Sequence, residues 1–188
     1  EDVDRIDCAV RSYTRWFRDE FGQAHDHVRL VGQDNLRRYL PIERLCVRFD
    51  PADSLFELVA RVCAAKIAGC RITVSQPADA ELVNVRLIDE LTDSWAAAIE
   101  FVEETDEELA NRISRRQMDR LRYACPTRVP RIVRQVAPDV QLDIADRPVL
   151  QHGRIELLWY VHEQSLCIDY HRYGNLGIRT NEQRTEPL

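Results

Sequence analysis

The stretch RLCVRFDPADSLFELVARVCAAKIAGCRITV, from Arg44 to Val74, decides the fold. Leu45, Cys46, Val47 and Phe49 read as a strand, and Pro51-Ala52-Asp53 as the turn that follows it. Ser54 and Glu57 stand at capping-box spacing, where a hydroxyl and a carboxylate each satisfy a backbone N–H left over at a helix start. A helix is therefore predicted from this point. Leu55, Leu58, Val59, Val62, Cys63 and Ile67 form its apolar face, and Gly69 supplies the left-handed residue that ends it. Ile72, Thr73 and Val74 make a second strand, and a unit of this length suits a right-handed crossover between parallel strands.

Working outward, the alternation persists. The spacing predicts a helix over 80–93 (Leu82, Val85, Ile88, Leu91), a strand over 97–103 and a helix opened by a second capping box, Thr105 to Glu108. Leu121, Tyr123 and Cys125 suggest a strand, Val129, Ile132, Val133 and Val136 a helix, and Val140, Leu142 and Ile144 a fifth strand. Trp159 and its neighbours fit either period, and a helix is expected over 153–163; Leu166, Ile168 and Tyr170 then alternate as a strand. Upstream, Ile6, Val10, Tyr13, Phe17 and Phe21 form the stripe of an amphipathic helix, and the stretch from His25 to about Pro41 reads as irregular. The predicted architecture is α/β: a Rossmann-like open, mostly parallel sheet of about five strands flanked by helices, with an N-terminal helix and a C-terminal strand plus tail. We divide it into a helix and irregular lead-in (1–40), the Rossmann-like domain (41–164) and a C-terminal strand and tail motif (165–188). The polar tail from 178 onward is expected to be mobile without a partner.

Composition sets bounds. With 188 residues, 45% hydrophobic and 31% charged, the chain has ordinary globular composition and can bury roughly 70% of its unfolded surface without a staple. The net charge of −6, with interspersed signs, argues against nucleic acid as a partner. No apolar run approaches the ~20 residues of a bilayer span, and Glu186-Pro187-Leu188 carries no lipidation signal, so membrane insertion is not expected. The chain begins at Glu1 with neither initiator Met nor leader, and reads as an internal or C-terminal fragment. Cysteines 8, 46, 63, 70, 125 and 167 form no C-x-x-C pair and sit mostly in apolar runs, which suits reduced thiols in a cytoplasmic protein. Lys66 is the lone lysine among 26 basic residues; this reads as codon composition, since the arginines stand where no fork is evidently needed.

The residues that bear chemistry have structural explanations close at hand. A Rossmann sheet binds ligand at the carboxyl ends of its strands through a Gly-rich turn, yet the first such turn here is Asp50-Pro51-Ala52-Asp53-Ser54, with two carboxylates and no glycine. Gly174 and Gly177 read as turn formers rather than a phosphate clamp, because no helix is predicted after them. His25 and His27 converge only on an extended backbone, and sequence places no third metal ligand. The acidic run from Glu103 to Glu108 offsets a helix dipole. No G-x-S-x-G elbow or catalytic triad is present, and Cys63 and Cys70 read as packing residues.

The stretch GQDNLRRYLP from Gly32 to Pro41, the strand after it, GRIELLWYVHEQ from Gly153 to Gln164, and SLCIDYHRYGNLG from Ser165 to Gly177 together resemble one family. This is the C-terminal aldehyde-dehydrogenase-superfamily domain of the bifunctional proline utilization A proteins. The resemblance implies a parent oxidoreductase that converts proline to glutamate, with FAD serving a proline dehydrogenase and NAD a pyrroline-5-carboxylate (glutamate semialdehyde) dehydrogenase. It implies no cofactor in this segment. Its partner would be the parent's dehydrogenase module, a homo-oligomer being left open. The motif Tyr170, His171, Tyr173, Gly174, Asn175, Leu176 and Gly177 would be an interface helping to seal the cavity through which the intermediate is channelled. A working aldehyde dehydrogenase has an Asn in the first turn, where this chain has Pro51-Ala52-Asp53, and a Lys where Ser75 stands. The G-Q-x-C signature is missing too, so the resemblance implies a non-catalytic domain. The alternative is a nucleotide-binding or regulatory Rossmann-like module.

Overall fold

The computed structural model describes residues 2–78, 83–95, 98–171, 174–182 and 184. In chain order the elements are α1 (Asp2–Trp16), β1 (Gln33–Pro41), β2 (Arg44–Arg48), α2 (Leu55–Ala68), β3 (Arg71–Gln76), α3 (Val83–Thr92) and β4 (Ile99–Glu103). After them come α4 (Asp106–Ser114), β5 (Arg120–Arg122), α5 (Arg131–Val136), β6 (Asp143–Ala145), α6 (Gly153–Glu156) and β7 (Val161–Asp169). Five strands form an all-parallel sheet in the order β4-β3-β2-β5-β6, as the alternation predicts. After β4 the chain crosses back past β2 to lay down β5, so the topological switch point lies beside β2.

Both faces of the sheet are covered, and β2 shows how. Leu45 and Val47 point into a core shared with α1, α2 and Tyr160, while Cys46 points into a second core with its sheet neighbour Leu121 and with Leu109, Ile113 and Val133 from the opposite layer. Both capping boxes form: Ser54 Oγ accepts the Glu57 N–H and Thr105 Oγ1 the Glu108 N–H, each carboxylate answering at the cap's own N–H. Gly69 ends α2 at φ 86°. Helix α1 continues as a single π turn over Phe17–Phe21, with Tyr13 and Phe21 of the stripe buried and Ile6, Val10 and Phe17 half-buried. Its fit against α6 is tight: a Cβ on Gly153 would lie 2.6 Å from the Ser12 carbonyl oxygen.

Three expectations are corrected. The stretch to Pro41 is not irregular throughout, since Gln33–Pro41 is β1, paired antiparallel with β7 from Gln33↔Asp169 to Pro41↔Val161. This ribbon leaves most of its side chains half-buried or exposed, so its strands carry no clean apolar alternation. The helix expected over 153–163 ends earlier: α6 passes into a 3-10 turn, Leu157–Tyr160, and Val161 already pairs with Pro41. The strand expected through Cys125 stops at Arg122, and Leu82 and the chain's last four residues lie outside the described residues. Among the described residues no helix is long and apolar enough to cross a membrane.

Candidate functional site

The carboxyl ends of β2, β3, β4 and β5 enclose a cavity of about 310 Å³ at the switch point, lined in part by Arg48, Asp50, Asp106, Glu107, Tyr123 and Arg128. Its charged groups are held by one another. Arg48, 3% exposed, donates to Ser75 Oγ (2.9 Å), the Glu104 carbonyl (3.0 Å) and Asp106 Oδ1 (3.0 Å). Ser75, where the resemblance leads one to expect a lysine, donates in turn to Glu104 Oε1 at 2.6 Å, and Arg112 reaches the same oxygen at 2.7 Å. Arg48, Ser75 and Arg112 are thus committed to partners within the chain.

Asp53 proves to be more than a neighbour of the helix cap. Its Oδ2 accepts from the buried Arg61 at 2.5 Å and from the Asp50 N–H at 2.9 Å, and its Oδ1 accepts from Arg128 at 2.5 Å. Burial pulls the Arg61 guanidinium below its ordinary pKa while Asp53 works to hold it charged. Arg128 also reaches Glu57, whose carboxyl burial would raise but which the Ser54 N–H and Arg128 bring below its usual value. A third buried arginine, Arg122, pairs with Glu156 at 2.8 Å, and Tyr160 donates to the same carboxylate oxygen at 2.9 Å.

At these three positions the expectation that no fork is needed does not hold. Arg48, Arg61 and Arg122 sit inside the core because a guanidinium fork can satisfy several buried acceptors at once, which an ammonium cannot. The signal was present as arginines interrupting apolar runs, in LCVRF, LVARVC and RLRYA.

The cavity does not fit a dinucleotide. A pyrophosphate would face Asp50, Asp106 and Glu107, and no glycine opens a close approach to the backbone. Among the described residues no cysteine or serine lines it. Burial pushes the Cys46 and Cys70 thiols up to about 12 and Cys63 to about 11, the opposite of an activated thiolate. The Tyr123 hydroxyl, raised by burial, has no hydrogen-bond partner among the described residues. His25 and His27 stack with centroids 5.4 Å apart, bound to the Glu20 carbonyl and to Arg37; among the described residues no three potential ligands gather around a metal position.

The motif follows β7, at the end of the ribbon where Gln33 pairs with Asp169. Tyr170 and His171 both donate their N–H groups to the Gly32 carbonyl. Gly32 has φ 92° and would place a Cβ 2.8 Å from the His171 ring, which ties the two halves of the quoted pattern together. Gly174 and Gly177 adopt φ 81° and 57°; Asn175 accepts the Gly177 N–H at 2.8 Å, and Leu176 is half-buried. Tyr173 lies outside the described residues. Past the motif, Arg179 and Arg184 fold back on the Tyr170 ring and on Asp26 and Asp34, so the described tail is tied down rather than free.

Comparison with known proteins turned up no matching family model and no matching curated protein. Solved structures do match. Proline utilization A from Corynebacterium freiburgense is 22% identical with a TM-score of 0.59, over 93% of this chain and 14% of that one. A variant of proline utilization A from Bradyrhizobium japonicum gives a TM-score of 0.64 at 14% identity, over 78% of this chain and 15% of that one. A putative aldehyde dehydrogenase from Burkholderia cenocepacia gives 0.59 at 18% identity, over 76% and 30%. The chain thus spans less than a third of each of these proteins, and it is similar to them in fold.

Proposed function

We propose that the chain is a non-catalytic assembly domain of a larger proline-oxidising enzyme, packing on that enzyme's dehydrogenase module. In this reading Tyr170 to Gly177 closes the cavity that holds the semialdehyde intermediate, and FAD and NAD belong to the parent alone. The observation that carries it is the fate of the strand-end groups: Ser75, Asp53, Arg48 and Arg128 are all engaged within the chain. The likeness over 93% of the chain to a proline utilization A protein supports it. The test is to remove residues 170–188 from the parent. Coupled conversion of proline to glutamate should fall and the intermediate should escape to a trapping reagent, while proline dehydrogenase activity stays. Unchanged coupling would sink the sealing role.

A second reading, a nucleotide-binding or regulatory module, draws on the cavity of about 310 Å³ at the switch point. Titrating the chain with NAD⁺ separates the two. A ligand at 100 times its Kd would add about 2.7 kcal/mol and raise the unfolding midpoint by about 5–11 °C. The assembly reading expects no rise up to millimolar NAD⁺.

A further inference from the structure

The turn Gly174-Asn175-Leu176-Gly177 is built as a hinge. Both glycines have positive φ, and a Cβ added at either would meet nothing within 4 Å. Beyond it the described residues 178–182 and 184 bury no apolar anchor, and Ile178 is fully exposed. The polar contacts of Arg179 and Arg184 bind this segment to the rest of the chain. Arg179 grips Asp34 through both guanidinium nitrogens, at 2.8 and 3.2 Å, with its Cζ 3.7 Å from the Tyr170 ring centroid. Arg184 reaches Asp26 at 3.0 Å, the Tyr170 hydroxyl oxygen at 3.1 Å, and Asp34.

The receiving side is formed independently of the tail. Asp26 is fixed by the N–H groups of Val28, Arg29 and Asn35, at 3.2, 2.8 and 3.4 Å. Asp34 lies in β1 opposite Ile168, and Tyr170 follows β7 with its N–H on Gly32. Two carboxylates and an aromatic face are therefore left standing if the tail departs, and that set recognises a guanidinium by charge, fork geometry and stacking together.

We propose that residues 178–184 form an exchangeable strap, and that the Asp26–Asp34–Tyr170 catch accepts the same arginines from a second copy of this chain. Charge complementarity names the occupant: the tail already carries two guanidinium groups at the spacing the catch takes. Within one chain the short hinge gives the strap a high effective concentration, so the closed form dominates in dilute solution and exchange appears on concentration or when the local arginines are absent.

The test uses the full chain with Arg179→Ala and Arg184→Ala, which empties the catch without touching the core. A labelled peptide of residues 178–184, IRTNEQR, should bind this variant saturably, at least about tenfold more tightly than it binds the wild type, whose catch is filled. Binding should weaken steeply with salt, and vanish when Asp34→Asn is added or when both peptide arginines are replaced by alanine. Equal binding to wild type and variant, indifference to Asp34→Asn, or no binding up to millimolar peptide would each overturn the proposal. Should the alanine pair fail to fold, Arg179→Lys with Arg184→Lys keeps the charge but loses the forks, and the peptide should displace those lysines more readily than it displaces the native arginines.

Discussion

The strand-end cluster and the ribbon-end cluster use the same chemistry, arginine against aspartate, to opposite ends. At the strand ends Arg61 and Asp53 have no exposed side-chain surface, whereas on the ribbon Arg179 and Asp34 keep 32% and 19% of theirs. Burial raises the stakes of a pair, because removing one partner strands the other away from water; exposure lets water replace it at little cost. Side by side, the two show that an ion pair's worth is read from its surroundings and not from its distance.

The largest effect is expected at the buried end. Asp53→Ala leaves Arg61 uncompensated and should cost about 3–5 kcal/mol in urea unfolding, far beyond the ~1 kcal/mol of a lost cap. A loss near 1 kcal/mol would mean that Asp53 serves only the turn. Next comes Arg122→Met, which strands Glu156 and should cost a similar 3–5 kcal/mol, most of it recovered in the double variant with Glu156→Leu, where an apolar pair replaces the ionic one. A double variant no better than the single would show that Tyr160 and the Leu150 N–H need the carboxylate for themselves. Ser54→Ala removes the cap hydroxyl of α2 and should cost about 1 kcal/mol, read from the same unfolding curves.

On the ribbon, Arg184→Ala should leave the unfolding midpoint unmoved, while trypsin cuts after Arg179 faster than in wild type; an unchanged cleavage rate would remove the latch from the comparison. The smallest effect is that of pH. Hydrogen bonds from Arg179 and Arg184 lower the Asp34 carboxyl from an ordinary 3.8 to about 2. A depressed carboxylate stabilises the folded form above its unfolded pKa and ceases to as pH falls through the folded one, so the latch should be intact from neutral pH to about 4 and open between about 4 and 2. Amide exchange at Thr180 and Glu182 would follow it, and protection already lost at pH 5 would contradict the assignment.

The parallel sheet was legible in the sequence because local signals agreed with the global pattern: two capping boxes, a left-handed glycine after α2, and apolar faces at the right period. What was lost obeyed other physics. Strand β1 runs through Arg37 and Arg38 and covers no core along most of its length, so period-2 hydrophobicity could not announce it; its partner lies at the other end of the chain. The helix predicted to residue 163 ended early because β7 claims Val161 for the ribbon. The core arginines were missed, although they interrupt apolar runs, because a residue type that is normally solvated was read one at a time, while burial depends on acceptors that the fold brings in from afar: Asp53 for Arg61, Glu156 for Arg122, and Glu104 and Ser75 for Arg48.

The pairing of β1 with β7 also sets an order of events in time. A nascent chain emerges from its N-terminus, so β1 leaves the ribosome before β7 and has no partner until residues 161–169 follow it, with the whole parallel sheet made in between. Closing so long a loop is slow compared with forming the local crossover of β2, α2 and β3. The sheet is therefore expected to form first, as a nucleus from which an unpaired strand protrudes. Through that interval the polar, arginine-bearing face of β1 serves as its own protection, since a strand that reads poorly as a strand is also a poor template for aggregation.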